Sequence, residues 1–126
     1  MHTSRSGKPK VIITTGDPSG IGPEITQKAL ASPKINRLAD FLVIGDPKTL
    51  IKLRKSPEVC GKMSIGYLDR ALAIIAKGEA DCLVTAPINK ANVRAAGFKD
   101  FEGHTEYLAD ATLTKDYAMM FVGKRM

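Results

Sequence analysis

The chain has 126 residues, of which 44% are hydrophobic and 25% charged, a composition that excludes a disordered or fibrous protein. Its net charge of +6 comes from scattered residues that are not interleaved with aromatic side chains, so we expect no nucleic-acid partner. No apolar run approaches the roughly 20 residues that cross a bilayer, and the polar amino terminus does not resemble a signal peptide. We therefore expect a cytoplasmic protein with no membrane partner.

Strand-like and helix-like segments alternate along the chain. Apolar, β-branched runs predict strands at 10–15, 41–46, 81–87 and 117–123. Helices are predicted at 23–32, 47–56, 89–97 and 105–113, and a further one, closed by Gly78, carries an apolar face of Ile65, Leu68, Leu72, Ile75 and Ala76. This alternation predicts an α/β fold, with three α/β/α layers built around a mainly parallel sheet.

The unusual residues lie in the loops that follow the first and third predicted strands. GDPSGIGPE leaves the first strand, and APINK leaves the third. Because ligands of open α/β sheets bind beyond the carboxyl ends of the strands, both loops are expected at one ligand-binding edge. The glycine loop has neither the GxGxxG order of a dinucleotide site nor the GK[ST] ending of a P-loop. It matches neither of these nucleotide-binding loops.

Five residues of these loops are candidates for ligand contact: Asp17, Gly20, Gly22, Asn89 and Lys90. The two glycines either form a tight turn that needs a positive φ, or expose bare backbone that admits an anion to a helix N-terminus. Asp17 either caps the turn or accepts a hydroxyl from a ligand. Asn89 and Lys90 either start the next helix or offer an amide and a cation to a polar substrate.

The segment FEGHTEYLAD adds a histidine at a predicted helix start. A single histidine is more often structural than a ligand, but His104 has suggestive neighbours: Gly103 lets the backbone bend, and Thr105 offers a hydroxyl. Glu106 suits the first turn of the helix. An exposed His-Thr pair there can donate hydrogen bonds to a phosphate or carboxylate. The only other histidine is His2, so the sequence offers no multi-histidine metal site.

Three stretches, ITTGDPSGIGPEI, VTAPINKANVRAAGF and FEGHTEYLAD, together resemble the 4-hydroxythreonine-4-phosphate dehydrogenases of pyridoxal 5′-phosphate synthesis. The resemblance runs from Val11 to Arg125 and implies a fold like that of isocitrate and isopropylmalate dehydrogenases, in a homodimer. It implies that NAD or NADP, assisted by a divalent metal such as zinc, magnesium or cobalt, oxidises 4-phosphooxy-L-threonine. The product then loses carbon dioxide to give 3-amino-2-oxopropyl phosphate. By this resemblance His104 and Thr105 bind the substrate, and the opening loop is a ligand-edge turn.

Members of that family are more than twice as long as this chain. We therefore expect residues 11–126 to be the N-terminal α/β portion of a longer dehydrogenase, preceded by a flexible basic tail at 1–10. The resemblance places the metal-binding histidines and most cofactor contacts further along, so here it assigns no catalytic residue and no metal ligand. Two alternatives stay open: a non-catalytic anion-binding remnant, and a related dehydrogenase acting on phosphothreonate or a cis-dihydrodiol acid.

Overall fold

A computed structural model describes residues 7–45 and 56–124 of the protein. Its elements in chain order are β1 (Lys10–Thr14), α1 (Gly22–Leu30), α2 (Pro33–Asn36), β2 (Asp40–Ile44), α3 (Pro57–Ala76), β3 (Cys82–Thr85), α4 (Lys90–Ala95) and α5 (His104–Ala111). No helix of this part of the chain is long and apolar enough to cross a membrane.

The three described strands form one parallel sheet in the order β2-β1-β3. β1 is central, and its residues from Val11 onwards are buried on both faces, which explains its unbroken run of β-branched side chains. In the register, Ile12 lies between Leu42 of β2 and Leu83 of β3. The chain therefore passes from one side of β1 to the other between β2 and β3.

Helices cover both faces of this sheet. On one face Val11 and Ile13 pack with Leu30, the last residue of α1. On the other face Ile12 packs with Ala71 and other side chains of α3. The predicted three-layer α/β/α arrangement is confirmed.

A third apolar cluster joins α3 to α4 and to the residues before α5. Ile65 and Leu68 of α3 pack there with Val93 of α4 and with Phe101. At Gly61 the two helices approach so closely that a Cβ on this residue would lie only 2.0 Å from the carbonyl oxygen of Asn92. This cluster fixes α4 against α3 at one side of the sheet.

Most predicted elements are present with shifted ends. The long helix α3 starts earlier than its apolar face suggested, at a cap in which the Ser56 hydroxyl accepts from the Val59 amide. On its predicted face Ile65 and Leu68 are buried, but Ala76 is exposed, because the buried row continues through Ala71 instead. Lys10 is the first residue of β1, where the predicted strand at 10–15 begins. The predicted basic helix lies outside the described residues, except for its last residue.

The predicted strand at 117–123 is wrong. These residues form no helix or strand, and their large apolar side chains are exposed: Tyr117, Met119, Met120, Phe121 and Val122. Strand propensity describes how side chains fit a pleated, half-buried surface, so it produces a strand only beside a hydrogen-bonding neighbour. None of the described strands pairs with this segment.

Candidate functional site

The loops after β1 and β3 meet at the carboxyl edge of the sheet, as their order predicted. The Asp17 amide donates to the Pro87 carbonyl oxygen at 2.9 Å. Gly16 has a φ of +73°, and a Cβ on it would lie 2.1 Å from the same oxygen. Only glycine allows this backbone contact between the two loops.

Asp17 is buried at this contact, with 2% of its surface exposed. One carboxylate oxygen accepts from the Ser19 amide at 2.7 Å and from the Ser19 hydroxyl. The other accepts from the side-chain amide of Asn92 in α4 at 2.8 Å. The carboxylate thus caps its own turn and faces protein groups.

Both of the other glycines of the loop differ from the first sequence interpretation, a turn that needs a positive φ, and Gly22 also differs from the second, bare backbone open to an anion. Neither Gly20 nor Gly22 has a positive φ, since Gly16 takes that role in this loop. A Cβ on Gly22 would lie 2.0 Å from the Thr15 carbonyl oxygen and 3.0 Å from the Ala86 Cβ. Gly22 is therefore needed for close packing at the start of α1, whereas a Cβ on Gly20 would meet its nearest atom at an ordinary 3.4 Å.

Asn89 and Lys90 stand at the start of α4. Asn89 is the N-cap residue, and its side-chain oxygen accepts from the Asn92 amide at 3.1 Å. Lys90 is exposed, and its ammonium makes no hydrogen bond or ion pair within the described residues. Its Nζ lies 3.8 Å from the position that a Cβ on Gly103 would take. The ammonium of Lys90 is thus directed to the start of α5.

His104 and Thr105 open α5, where the sequence predicted them. Gly103 is the N-cap residue and contributes no side-chain cap, so the first amides of the helix are open to an acceptor. Its φ of 165° is extended backbone, so no bend there requires glycine. The Nε2 atom of His104 is buried and has no hydrogen-bond partner among the described residues. Thr105 is half-buried.

Lys90 at the start of α4 and His104 at the start of α5 form a corner whose electrostatics favour a neutral imidazole beside a cation. Burial lowers the pKa of His104 from its ordinary value, and the nearby charge of Lys90 lowers it further. Glu106 also lies close, with a carboxylate oxygen 3.3 Å from the position of a Gly103 Cβ. One free ammonium, one unpartnered imidazole nitrogen and an open helix start thus lie together, which is an arrangement suited to an anion.

Two larger hollows of the described surface lie elsewhere. One, of about 490 Å³, is at the amino ends of β1 and β2. The other, of about 600 Å³, runs beside α5 and is lined by Glu102, Glu106, Asp110 and Tyr117 among others. Neither hollow is lined by Lys90 or His104, so neither contains the ammonium and the imidazole nitrogen described above.

The described residues do not fit a metal centre or a dinucleotide cradle. No three His, Cys, Asp or Glu side chains among them come together as metal ligands would. The space beside Gly16 and Gly22 is filled by carbonyl oxygens and only Gly20 is exposed, so the three glycines do not form one cradle for a pyrophosphate. The candidate that remains in this part of the chain is the corner of Lys90 and His104, whose groups suit an anion.

Sequence reasoning missed three residues of this edge: Gly16, Ser19 and Asn92. Ser19 could have been found, because an aspartate two residues before a serine in a Pro-Ser-Gly turn commonly accepts from its amide. Asn92 stands three residues after the cap residue Asn89, which marks a helix start but does not reveal the contact with Asp17.

Comparison with known proteins places the chain in a family. The family model for "Pyridoxal phosphate biosynthetic protein PdxA" matches residues 12–126. A 4-hydroxythreonine-4-phosphate dehydrogenase of Synechocystis is 33% identical over 92% of this chain and 43% of its own length. A putative D-threonate 4-phosphate dehydrogenase of Fusobacterium nucleatum is 30% identical over 89% of this chain and 46% of its own length.

The fold agrees with these matches. A crystal structure of a 4-hydroxythreonine-4-phosphate dehydrogenase from Burkholderia phymatum superposes with a TM-score of 0.83, at 27% identity, over 94% of this chain and 48% of that one. The chain thus spans about half the length of the relatives that it matches. The match of the family model over nearly all of the sequence, supported by these relatives, shows that the chain belongs to the PdxA family of pyridoxal phosphate biosynthetic proteins.

Proposed function

We propose that this chain provides the substrate-binding edge of an NAD- or NADP-dependent 4-hydroxythreonine-4-phosphate dehydrogenase. The reaction oxidises 4-phosphooxy-L-threonine to 2-amino-3-oxo-4-phosphooxybutanoate, which decarboxylates to 3-amino-2-oxopropyl phosphate on the route to pyridoxal phosphate. The support is the family membership and the names of the relatives. Because the chain spans about half of those relatives, we assign the activity to a family-length protein.

The observation that carries the proposal is the corner formed by Lys90 and His104. Lys90 brings an unpaired ammonium to an open helix start, and His104 brings a buried ring nitrogen that lacks a partner. Thr105 adds a hydroxyl one residue later. A phosphorylated amino acid offers this corner several acceptor oxygens, and hydrogen bonds to such a charged group are roughly twice as strong as neutral ones. We therefore assign substrate binding to these three residues.

The other residues of the edge have supporting parts in this proposal. Asn89 caps the helix that begins with Lys90, and Asp17 is bonded to the same helix. Gly22 lets the loop approach the backbone that follows β1, while Gly20 has room for a side chain. None of these four presents a free polar side chain to a ligand, and so we assign none of them a direct contact with substrate.

The cofactor and metal belong to the proposed whole protein. Dehydrogenase relatives imply a nicotinamide cofactor, which accepts the hydride when bound. We propose NAD or NADP together with zinc, magnesium or cobalt, held by residues other than those described here, and a cytoplasmic homodimer. The described residues hold the substrate's anionic group and orient it.

Calorimetric titration of 4-phosphooxy-L-threonine tests the substrate assignment. His104→Ala should weaken binding about 10- to 150-fold, because a hydrogen bond to a charged group contributes roughly 1.5–3 kcal/mol. Thr105→Val should give a smaller loss, because it removes a neutral donor. His2→Ala, the same change at the other histidine, is the control and should bind as before.

Two outcomes would remove the substrate role of His104. In one, His104→Ala melts the protein and leaves the affinity of the folded fraction unchanged. In the other, His104→Ala abolishes binding of a divalent metal. A separate assay tests the need for a family-length protein: the 126-residue chain with substrate, NAD and divalent metal should form no NADH.

A second candidate has support from a relative. The Fusobacterium protein named as a putative D-threonate 4-phosphate dehydrogenase is nearly as similar as the Synechocystis enzyme. The two substrates differ at C2, which carries an amino group in threonine and a hydroxyl in threonate. Titrating both ligands separates the candidates, since at least tenfold tighter binding of D-threonate 4-phosphate would favour the second. Binding of both without oxidation in a family-length protein would favour an anion-binding remnant.

A further inference from the structure

The glycine loop is attached to α4 at two points. The Asp17 amide donates to Pro87, in the loop that leads into α4, and its carboxylate accepts from the side chain of Asn92 within that helix. The Asn92 donor and the two Ser19 donors satisfy the carboxylate of Asp17, a residue that is only 2% exposed. None of these partners is cationic. A buried carboxylate is costly unless it is hydrogen-bonded, so the loop and the helix are held together strongly.

α4 depends on such outside contacts for its position. It has only six residues, too few for a helix that is stable by itself. Val93 is fully buried against α3 and fixes one side of the helix. Asn92 fixes another side, because successive residues of a helix are about 100° apart. Lys90 and Asn92 are two residues apart and so point in nearly opposite directions.

We propose that Asp17 is a positioning residue, which holds Asn92 and thereby sets the rotation of α4 that directs Lys90 to His104. The glycine loop then holds α4 in its position and makes no contact with a ligand itself. Two of its three glycines are required, because Gly16 touches the Pro87 carbonyl and Gly22 packs beside Ala86. The effect of this positioning on substrate binding rests on the proposed function. Its effect on the distance between Lys90 and His104 is independent of that function.

The geometry of the pair can be measured without any ligand. The charged groups that the described contacts place around the start of α5 are Lys90, Glu106 and Arg94, which donates to the Phe101 carbonyl, and the charge of Lys90 helps to keep the pKa of the His104 imidazole low. Nuclear magnetic resonance can follow the titration of His104, since the chain has only one other histidine. If the bond between Asp17 and Asn92 positions Lys90, then loss of this bond should raise the pKa of His104 toward the ordinary value of a histidine.

Three variants form the test. Lys90→Met should raise the titration midpoint of His104, and Asn92→Ala should raise it in the same direction. The double variant Lys90→Met/Asn92→Ala should have the same midpoint as Lys90→Met, because each single change takes the charge of Lys90 away from the neighbourhood of the imidazole. If Asn92→Ala does not fold, Asn92→Ser supplies the same comparison. An Asn92 variant that folds and keeps the wild-type midpoint would overturn the proposal.

An exchange of partners separates positioning from a general loss of stability. In Asp17→Asn/Asn92→Asp the amide and the carboxylate change places, so the bond can form again in the reverse direction. This pair should restore the wild-type midpoint of His104, while Asn92→Asp alone should not, because it sets two carboxylates against each other. Ile12→Val is the control: it weakens the core behind β1 and should leave the midpoint unchanged. A shifted midpoint in the exchanged pair or in Ile12→Val would refute the positioning role.

Ligand binding provides the second measurement. Asn92→Ala and Lys90→Met should each weaken binding of 4-phosphooxy-L-threonine about tenfold. Lys90→Met removes the ammonium that bonds the ligand, and Asn92→Ala turns the same ammonium away, so each loses one charge-assisted hydrogen bond. If the wild-type protein does not bind this ligand, the proposed function fails in this chain, and the titration of His104 still decides the positioning role. If Lys90→Met weakens binding but Asn92→Ala does not, the positioning role fails and the substrate site stands.

Discussion

Two glycines of α3 should respond in opposite directions to the same substitution. Gly66 is exposed, and a Cβ on it would meet nothing within 4 Å, so Gly66→Ala should add only the helix propensity of alanine, about 1 kcal/mol. Gly61 faces α4, and a Cβ there would lie 2.0 Å from the carbonyl oxygen of Asn92 and 2.8 Å from the Val93 Cα. The neighbouring atoms belong to backbone and cannot turn aside as a side chain could.

The magnitudes follow from these contacts. Overpacking a tight contact costs on the order of 3 kcal/mol, which exceeds the propensity gain and leaves Gly61→Ala about 2 kcal/mol less stable. For a chain of this length each kcal/mol moves the melting temperature by about 3–5 °C. Gly66→Ala should therefore melt about 3–5 °C higher than the wild type, and Gly61→Ala about 6–10 °C lower.

Thermal unfolding followed by circular dichroism checks both variants under one condition. Because the two substitutions are identical and lie in one helix, their difference isolates the contact between α3 and α4. If Gly61→Ala also raised the melting temperature, the close approach of the two helices would be refuted, and with it the packing that places α4.

Three further predictions concern the glycine loop, a helix cap and the histidine. Gly22→Ala should lower stability by about 3 kcal/mol, because its Cβ would strike the Thr15 carbonyl oxygen, while Gly20→Ala should stay within about 0.5 kcal/mol in urea unfolding. Ser56→Ala removes the side-chain cap of α3 and should cost about 1 kcal/mol, and Ser56→Asp should retain the stability. Burial and then the charge of Lys90 hold the pKa of His104 below its ordinary 6.5, so the unfolded chain binds a proton first as the pH falls. Stability should therefore fall on acidification through that pH, and unfolding curves of His104→Gln should lose this dependence.

The elements that carry local signals could be predicted from the sequence. Gly97 ends α4 with a φ of +104°, as a glycine after a helix commonly does. The β-branched run of β1 predicted a central strand, and Glu106 in the first turn of α5 agreed with a helix that begins at His104. Each of these signals acts within a few residues and needs no knowledge of the rest of the fold.

The remaining features depend on contacts between distant residues. Asp17 and Asn92 are 75 positions apart, and neither neighbourhood reveals the other as its partner. The need for glycine at position 16 comes from Pro87, which the turn sequence alone does not contain. The strand predicted at 117–123 failed for the same reason, since a strand requires a neighbour that only the fold can supply. The roles of His104 and Thr105 remain predictions.

The strand order β2-β1-β3 also influences which neighbour β1 pairs with first as the chain folds. β1 meets β2 across about 30 residues, but it meets β3 across about 70, so the second closure costs about 0.8 kcal/mol more in chain entropy. β1 is made before β2 and β3, so its edge toward β3 stays unpaired until Cys82–Thr85 has been made. We therefore expect the β1–β3 ladder to form late and to limit the refolding rate, with β1 the strand most exposed to wrong partners in the meantime.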